Sequence, residues 1–147
     1  MLTDKQFADA ATRLGVAAPA LRAFVEVEAG GNGFLSDSRP KILFERHVFY
    51  KRLVAAKGQA FADSVYQKCP DICNPKSGGY ATGPSADARG LAEHDRLSRA
   101  ADIDRNTALE SASWGAGQVM GYHWQTCKYP TLQAFINGAY KEAGQLE

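Results

Sequence analysis

The chain has 147 residues and a formal charge of +1, enough for one domain with one respectable core. That near-neutral balance carries no strong field towards nucleic acid or an anionic membrane. No apolar run approaches the ~18 residues of a membrane span. The first ten residues have neither a basic start nor a hydrophobic stretch, so no secretory signal is expected and synthesis is expected in a cytoplasm.

Taken in chain order, "TDKQFADAATRLG" predicts a first helix. Thr3 caps it, Gln6 completes a capping box, and Gly15 suits its C-terminal stop. A second helix is predicted over 18–29, with Pro19 in its first turn. "KILFE" has strand composition, and 47–57 and "AFADSVYQK" are helical. Residues 70–90 form a long Gly-, Pro- and Ser-rich stretch of the kind that more often serves function than not. "LAEHDRLSRAADI" and "DRNTALESAS" predict two helices or one bent one. "WGAGQVMGYHW" reads as a turn running into a helix, and Thr131 caps a last helix. The expected class is mainly α (α+β), with a small β element near residues 34–46. One domain is expected over 1–147.

Cys69, Cys73 and Cys127 are the only thiols. Their odd count fits free thiols in a reducing compartment better than a Cys69–Cys73 disulfide. His47, His94 and His123 are scattered, so no metal site is expected.

The second helix raises a question. Leu21, Phe24, Val25 and Glu28 fall at i, i+3, i+4 and i+7, on one stripe. Glu26 points about 200° away, beside Arg22. A carboxylate on an apolar stripe is paired, neutral, or at a cleft rim. Burial raises a carboxyl pKa, and a protonated Glu28 can serve as a general acid. Gly30, Gly31 and Gly33 follow and would leave room for a substrate. The plainer alternative is a Glu28 paired with an arginine, or a frayed helix end. Along "PKILFERH", Leu43 and Glu45 share one strand face, and Ile42, Phe44 and Arg46 the other. Glu45 stands at a cleft on that pattern, or at a solvated strand end. Ser113, Gln118, Met120, Tyr122 and His123 mix small, aromatic and hydrogen-bonding residues as an oligosaccharide groove does. Packing through glycines with Trp114 as core is the alternative.

Together, "VEVEAGGNGF" and "SWGAGQVMG" resemble the lysozyme-like superfamily of goose-type lysozymes and lytic transglycosylases. Four motifs in order, "VEVEAGGNGF", "RPKILFERHVF", "NPKSGGY" and "ALESASWGAGQVMGYHW", are similar to the N-acetylmuramidase family of bacteriophage endolysins. The resemblance covers about 18–140. It implies a lysozyme-like helical domain acting on peptidoglycan glycan strands, with no cofactor and as a monomer. It also implies host-cell lysis after a holin opens the membrane, since no signal peptide is expected. By position, Glu28 is the expected catalytic acid and Glu45 the candidate second carboxylate. Gln118, Met120, Ser113 and Tyr80 would line or border the groove. Two residues depart from the family pattern: Ala29 replaces a serine, and His123 an asparagine. Asp37 and Asp71 are weaker candidates for the second group, and Glu110 is expected to pair with Arg46. The rival readings are a lytic transglycosylase giving anhydro products, a non-catalytic peptidoglycan-binding phage protein, and a muramidase effector toxin.

Overall fold

The computed structural model describes residues 2–29, 33–141 and 143–146, without the side chains of 28, 29, 143 and 146. The side chains of Glu28 and Ala29, and all of Gly30 and Gly31, therefore lie outside the described residues. Among those described, seven α-helices surround one small sheet. None of these helices is long and apolar enough to cross a membrane.

Helix α1, Asp4–Leu14, begins with the reciprocal Thr3–Gln6 capping box and ends at Gly15 in the left-handed region, φ 67°. Helix α2, Ala18–Ala29, packs against it. The cluster they build is small: Phe7, Val25 and Ala116, with Leu2 and Leu21 against it. The buried stripe of α2 is accordingly narrower than the sequence suggests. Val25 is buried, but Phe24 is 50% exposed and Val27 83%. The reason is that this cluster meets α2 from α1 and from one turn at Ala116, not from a broad core. Arg22 lies one turn before Glu26 on α2. It lies over the Phe7 ring and pairs with Asp4 at 2.5 Å.

Strand β1, Ile42–Phe44, leads into α3, Arg46–Lys57. Helix α4, Gln59–Lys68, follows across Gly58. Helix α5, Ala86–Ile103, is capped by Ser85, so the irregular stretch ends several residues earlier than its composition suggests. Asp104 splits the next helical run by accepting from the Thr107 amide. Helix α6 is Arg105–Glu110, and Thr131 caps α7, Leu132–Ala139.

The predicted helix in "WGAGQVMGYHW" is not there. Strands β2, Ala112–Trp114, and β3, Val119–Met120, form a hairpin in its place. A single 3₁₀ turn follows at Gly121–His123. The order is β1–β2–β3, antiparallel, with Ile42 opposite Trp114 and Ser113 opposite Met120. Two features defeat the helix. Gly115 and Gln118 both take positive φ (68° and 47°), and β2 finds an edge on β1. A buried Trp114, its indole N–H donating to the Leu109 carbonyl, settles that ring as core.

The main core holds Phe44, Phe49, Leu53, Ile72, Leu97, Trp114, Phe135 and Ile136. All three cysteines are free thiols, and burial pushes the Cys73 thiol up to about 11. Gly33 is needed for packing rather than for access. A Cβ there would stand 1.6 Å from Gln145 Oε1 and 2.7 Å from the Ala116 amide. Gln145 ties three segments, accepting from the Ala116 amide and donating to the Gly33 and Ala139 carbonyls.

Leu53→Ala removes a fully buried side chain and is expected to cost about 2–5 kcal/mol in urea unfolding. Gly121→Ala is expected to be at least as damaging, because its methyl would meet the Leu109 carbonyl oxygen at 2.1 Å and both groups are backbone.

Candidate active site

Strand β1 alternates as its sequence requires: Ile42 and Phe44 are buried, and Leu43 faces a cavity of about 500 Å³. That volume is ordinary for a small-molecule site. Leu35, Leu43, Ala86 and Gly90 give it an apolar wall. Tyr80, Gln118, Glu93, Lys41 and Arg89 supply the polar groups. Gly90 is a close-approach position, since a Cβ would strike Leu35 at 2.4 Å.

Glu45 follows β1 in extended conformation, φ −98°, ψ 93°. Its side chain is only 15% exposed. The Tyr80 hydroxyl donates to its carboxylate, at 3.2 and 3.3 Å from the two oxygens. The His47 Nδ1 stands 3.2 Å from the same carboxylate but is not aligned for a hydrogen bond. Burial, and then the Glu45 charge, push the Tyr80 phenol above its usual range. Two motifs distant in sequence thus interlock, and Arg46 completes the joint. Its guanidinium donates to the carbonyls of Pro70, Lys76 and Ser77. A Cβ on Gly79 would collide with it at 2.5 Å. Asn74 shapes the same loop, accepting from the Lys76 amide at 2.9 Å.

Gln118 sits in left-handed backbone, a conformation that costs a non-glycine residue of the order of 1 kcal/mol. Its amide is locked, accepting from Ser113 Oγ and donating to the Gly115 carbonyl, both at 2.9 Å. Ser113 therefore holds Gln118 rather than facing the cavity itself. Val25, one turn before Glu28 along α2, packs with Ala116 in that same turn. The helix end carrying Glu28 is thereby tied to the element that presents Gln118.

Other expected groups lie elsewhere. Met120 pairs with Ser113 in the ladder and does not line the cavity. The Tyr122 and His123 rings contact each other at 4.4 Å, and the Arg52 guanidinium lies 5.3 Å from the Tyr122 ring. They belong to a different surface, beside a hollow of about 470 Å³ formed by Lys51, Arg52, Ala55, Ala56, Thr107 and Glu110. Glu110 pairs with Arg52, not Arg46. Arg46 is consumed by loop carbonyls, and Arg52 lies six residues, about 1.7 turns, further along α3, opposite α6. Asp37 and Asp71 are held by Arg39 and Arg99, whose hydrogen bonds keep both carboxyls below the usual range.

Glu93 escaped the sequence reading although its signal was there. Glu93, Arg96, Leu97 and Ala100 repeat the i, i+3, i+4, i+7 stripe that drew attention to Glu28. Glu93 is 3% exposed, is paired with Arg96, and lines the cavity. The same pattern therefore marked two carboxylates, and a basic residue on the second stripe betrays a buried pair.

A helical domain whose short antiparallel sheet walls a polar-and-apolar cavity is a lysozyme-like fold. The model of the N-acetylmuramidase family matches residues 17–147, and the chain belongs to that family. The fold is similar to the crystal structure of Burkholderia AP3 phage endolysin, at 44% identity and a TM-score of 0.83. The match covers 99% of this chain and 52% of that one. The chain thus spans about half the length of that endolysin. No curated protein matches it significantly.

His94 supports the cavity from behind, its Nε2 donating to the Pro40 carbonyl at 2.8 Å. Burial holds its pKa below the ordinary value. The unfolded chain therefore binds the proton first as pH falls from neutrality, and stability rises with pH in that window. Stability is expected to decline as pH drops from about 7 to 5, starting near the unfolded value of about 6.5. His94→Gln, which keeps a donor but does not titrate, is expected to flatten that slope in urea unfolding at the two pH values.

Proposed function

We propose that this domain is a peptidoglycan-degrading muramidase. It cuts the β-1,4 bond between N-acetylmuramic acid and N-acetylglucosamine by general acid catalysis. One convergence supports the reading. Tyr80, hydrogen-bonded to Glu45, and Gln118, on the turn against which the Glu28 helix packs, line the same cavity. The family membership and the endolysin likeness agree with it.

In this reading Glu28 protonates the glycosidic oxygen as the bond to the anomeric carbon breaks. An oxocarbenium-like transition state forms. Glu45 takes a proton from the attacking water, which adds to the opposite face and inverts the anomeric centre. That role asks for carboxylates about 6.5–9.5 Å apart. The apolar wall at Leu35 and Leu43 suits the C–H faces of pyranose rings. The locked Gln118 amide and the Tyr80 hydroxyl suit hydroxyl and acetamido groups. Lys41 and Arg89 suit the carbonyl oxygens of the lactyl group and of the peptide amide-linked to it, the substituent that distinguishes muramic acid from its neighbour.

Glu28→Gln is nearly isosteric and is expected to keep the fold and abolish release of fragments from purified peptidoglycan. Near wild-type clearing would remove Glu28 as the acid. Glu45→Gln is expected to lose at least about tenfold in kcat. Mass spectrometry of the wild-type products decides the route. Reducing muramic acid ends mean hydrolysis. Anhydro-muramic ends mean attack by the sugar's own 6-hydroxyl and a transglycosylase, and no fragments at all mean a binding protein.

A further inference from the structure

We propose that Glu93 and Arg96 are positioning residues, whose buried pair brings Tyr80, which lines the cavity, onto Glu45. The inference rests on the reading above, in which Glu45 takes part in the reaction. The observation is which backbone groups the pair binds. Glu93 Oε2 accepts from the Phe44 amide at 3.1 Å, and Oε1 from the Ala81 amide at 2.6 Å. Phe44 immediately precedes Glu45, and Ala81 immediately follows Tyr80. One carboxylate therefore spans the two segments whose side chains meet.

Arg96 fixes that carboxylate. Its Nη1 donates to both Glu93 oxygens, at 3.0 and 2.8 Å, and lies 3.3 Å from the Phe44 carbonyl. Its Nη2 donates to the Asp71 carbonyl at 2.6 Å. Its guanidinium lies 5.4 Å from the Phe44 ring. The pair thus holds both backbone groups of Phe44, the end of the Tyr80 segment and the loop at Asp71. A buried ion pair is a poor stabiliser in itself, because desolvation offsets most of its attraction and well-packed apolar isosteres often do as well. What apolar residues cannot replace is the directional capture of the amides at 44 and 81. Arg46 holds the near part of the loop, at Pro70, Lys76 and Ser77. The end that carries Tyr80 is held by Glu93.

The test combines a spectroscopic signature with kinetics. The first reading is the ¹³Cζ resonance of Tyr80, assigned by its loss in Tyr80→Phe, and compared among wild type, Glu45→Gln and Glu93→Gln. If Glu93 positions the contact, the resonance in Glu93→Gln moves to its place in Glu45→Gln. The second reading is turnover of peptidoglycan fragments. Glu93→Gln is expected to lower kcat at least about tenfold with KM changed less than about threefold. Adding Tyr80→Phe to it should cost little more, because both changes break one contact. Where Glu93→Gln does not fold, Glu93→Met with Arg96→Met removes both buried charges and is read in the same way. An unmoved Tyr80 resonance overturns the inference, and so do losses that simply multiply in the double variant. If the wild-type protein turns over nothing, the muramidase reading fails, while the resonance still decides whether Glu93 holds Tyr80 on Glu45.

Discussion

Glu93 and Arg96 stand one turn apart on α5, almost wholly withdrawn from water, and the cavity-forming half of the protein is organised around them. Two charges survive there because each oxygen and nearly every N–H finds a partner. Arg96 Nε is the exception. Helix α5 crosses β1, and the pair binds β1 at Phe44 through both an amide and a carbonyl. The strand is three residues long, with too few ladder bonds to set its own position. Breaking such a pair on one side typically costs about 3–5 kcal/mol. That figure reflects an uncompensated buried charge, and it makes the geometry of Phe44, Glu45 and Ala81 resistant to drift.

A second set of contacts places the other wall. The hairpin of β2 and β3 turns through two left-handed residues, and the Gln118 amide is clamped by Ser113 and the Gly115 carbonyl. Behind it, Gln145 joins the C-terminal segment to Ala116 and Gly33. Val25 seats α2 on the same turn. The cavity thus has fixed backbone on two sides, at β1 and at the Gln118 turn. Backbone fixed in that way preorganises the cavity, and at a reacting site misplacement by about 1 Å can cost of the order of a hundredfold in rate.

The surface at Tyr122 and His123 has a different character. Arg52 is shared between Glu110 and the Tyr122 ring, joining α3, α6 and the 3₁₀ turn. Its residues belong to the segment whose composition suggested an oligosaccharide groove. Composition registers which residues are close in sequence. The hairpin then sends Gln118 to one surface and Tyr122 to another within four positions.

Local chemistry was legible in the sequence wherever the deciding interaction spans a few residues. The caps at Thr3 and Thr131, the stop at Gly15 and the alternation through Ile42, Leu43 and Phe44 all follow from near neighbours and appear as read. The mainly helical class follows too, and the four ordered motifs point to the N-acetylmuramidase family. Only tertiary structure decided the rest. It chose a hairpin over a helix after Trp114, because β1 offered a strand edge that no local window contains. It gave Glu110 to Arg52 once Arg46 was taken up by loop carbonyls. It exposed Phe24, because the partners of α2 are narrow, and it turned Gly33 into a packing necessity. It also made Glu93 the tether between Phe44 and Ala81. Such contacts depend on which distant backbone group arrives within 3 Å, and periodicity along the chain carries no record of that.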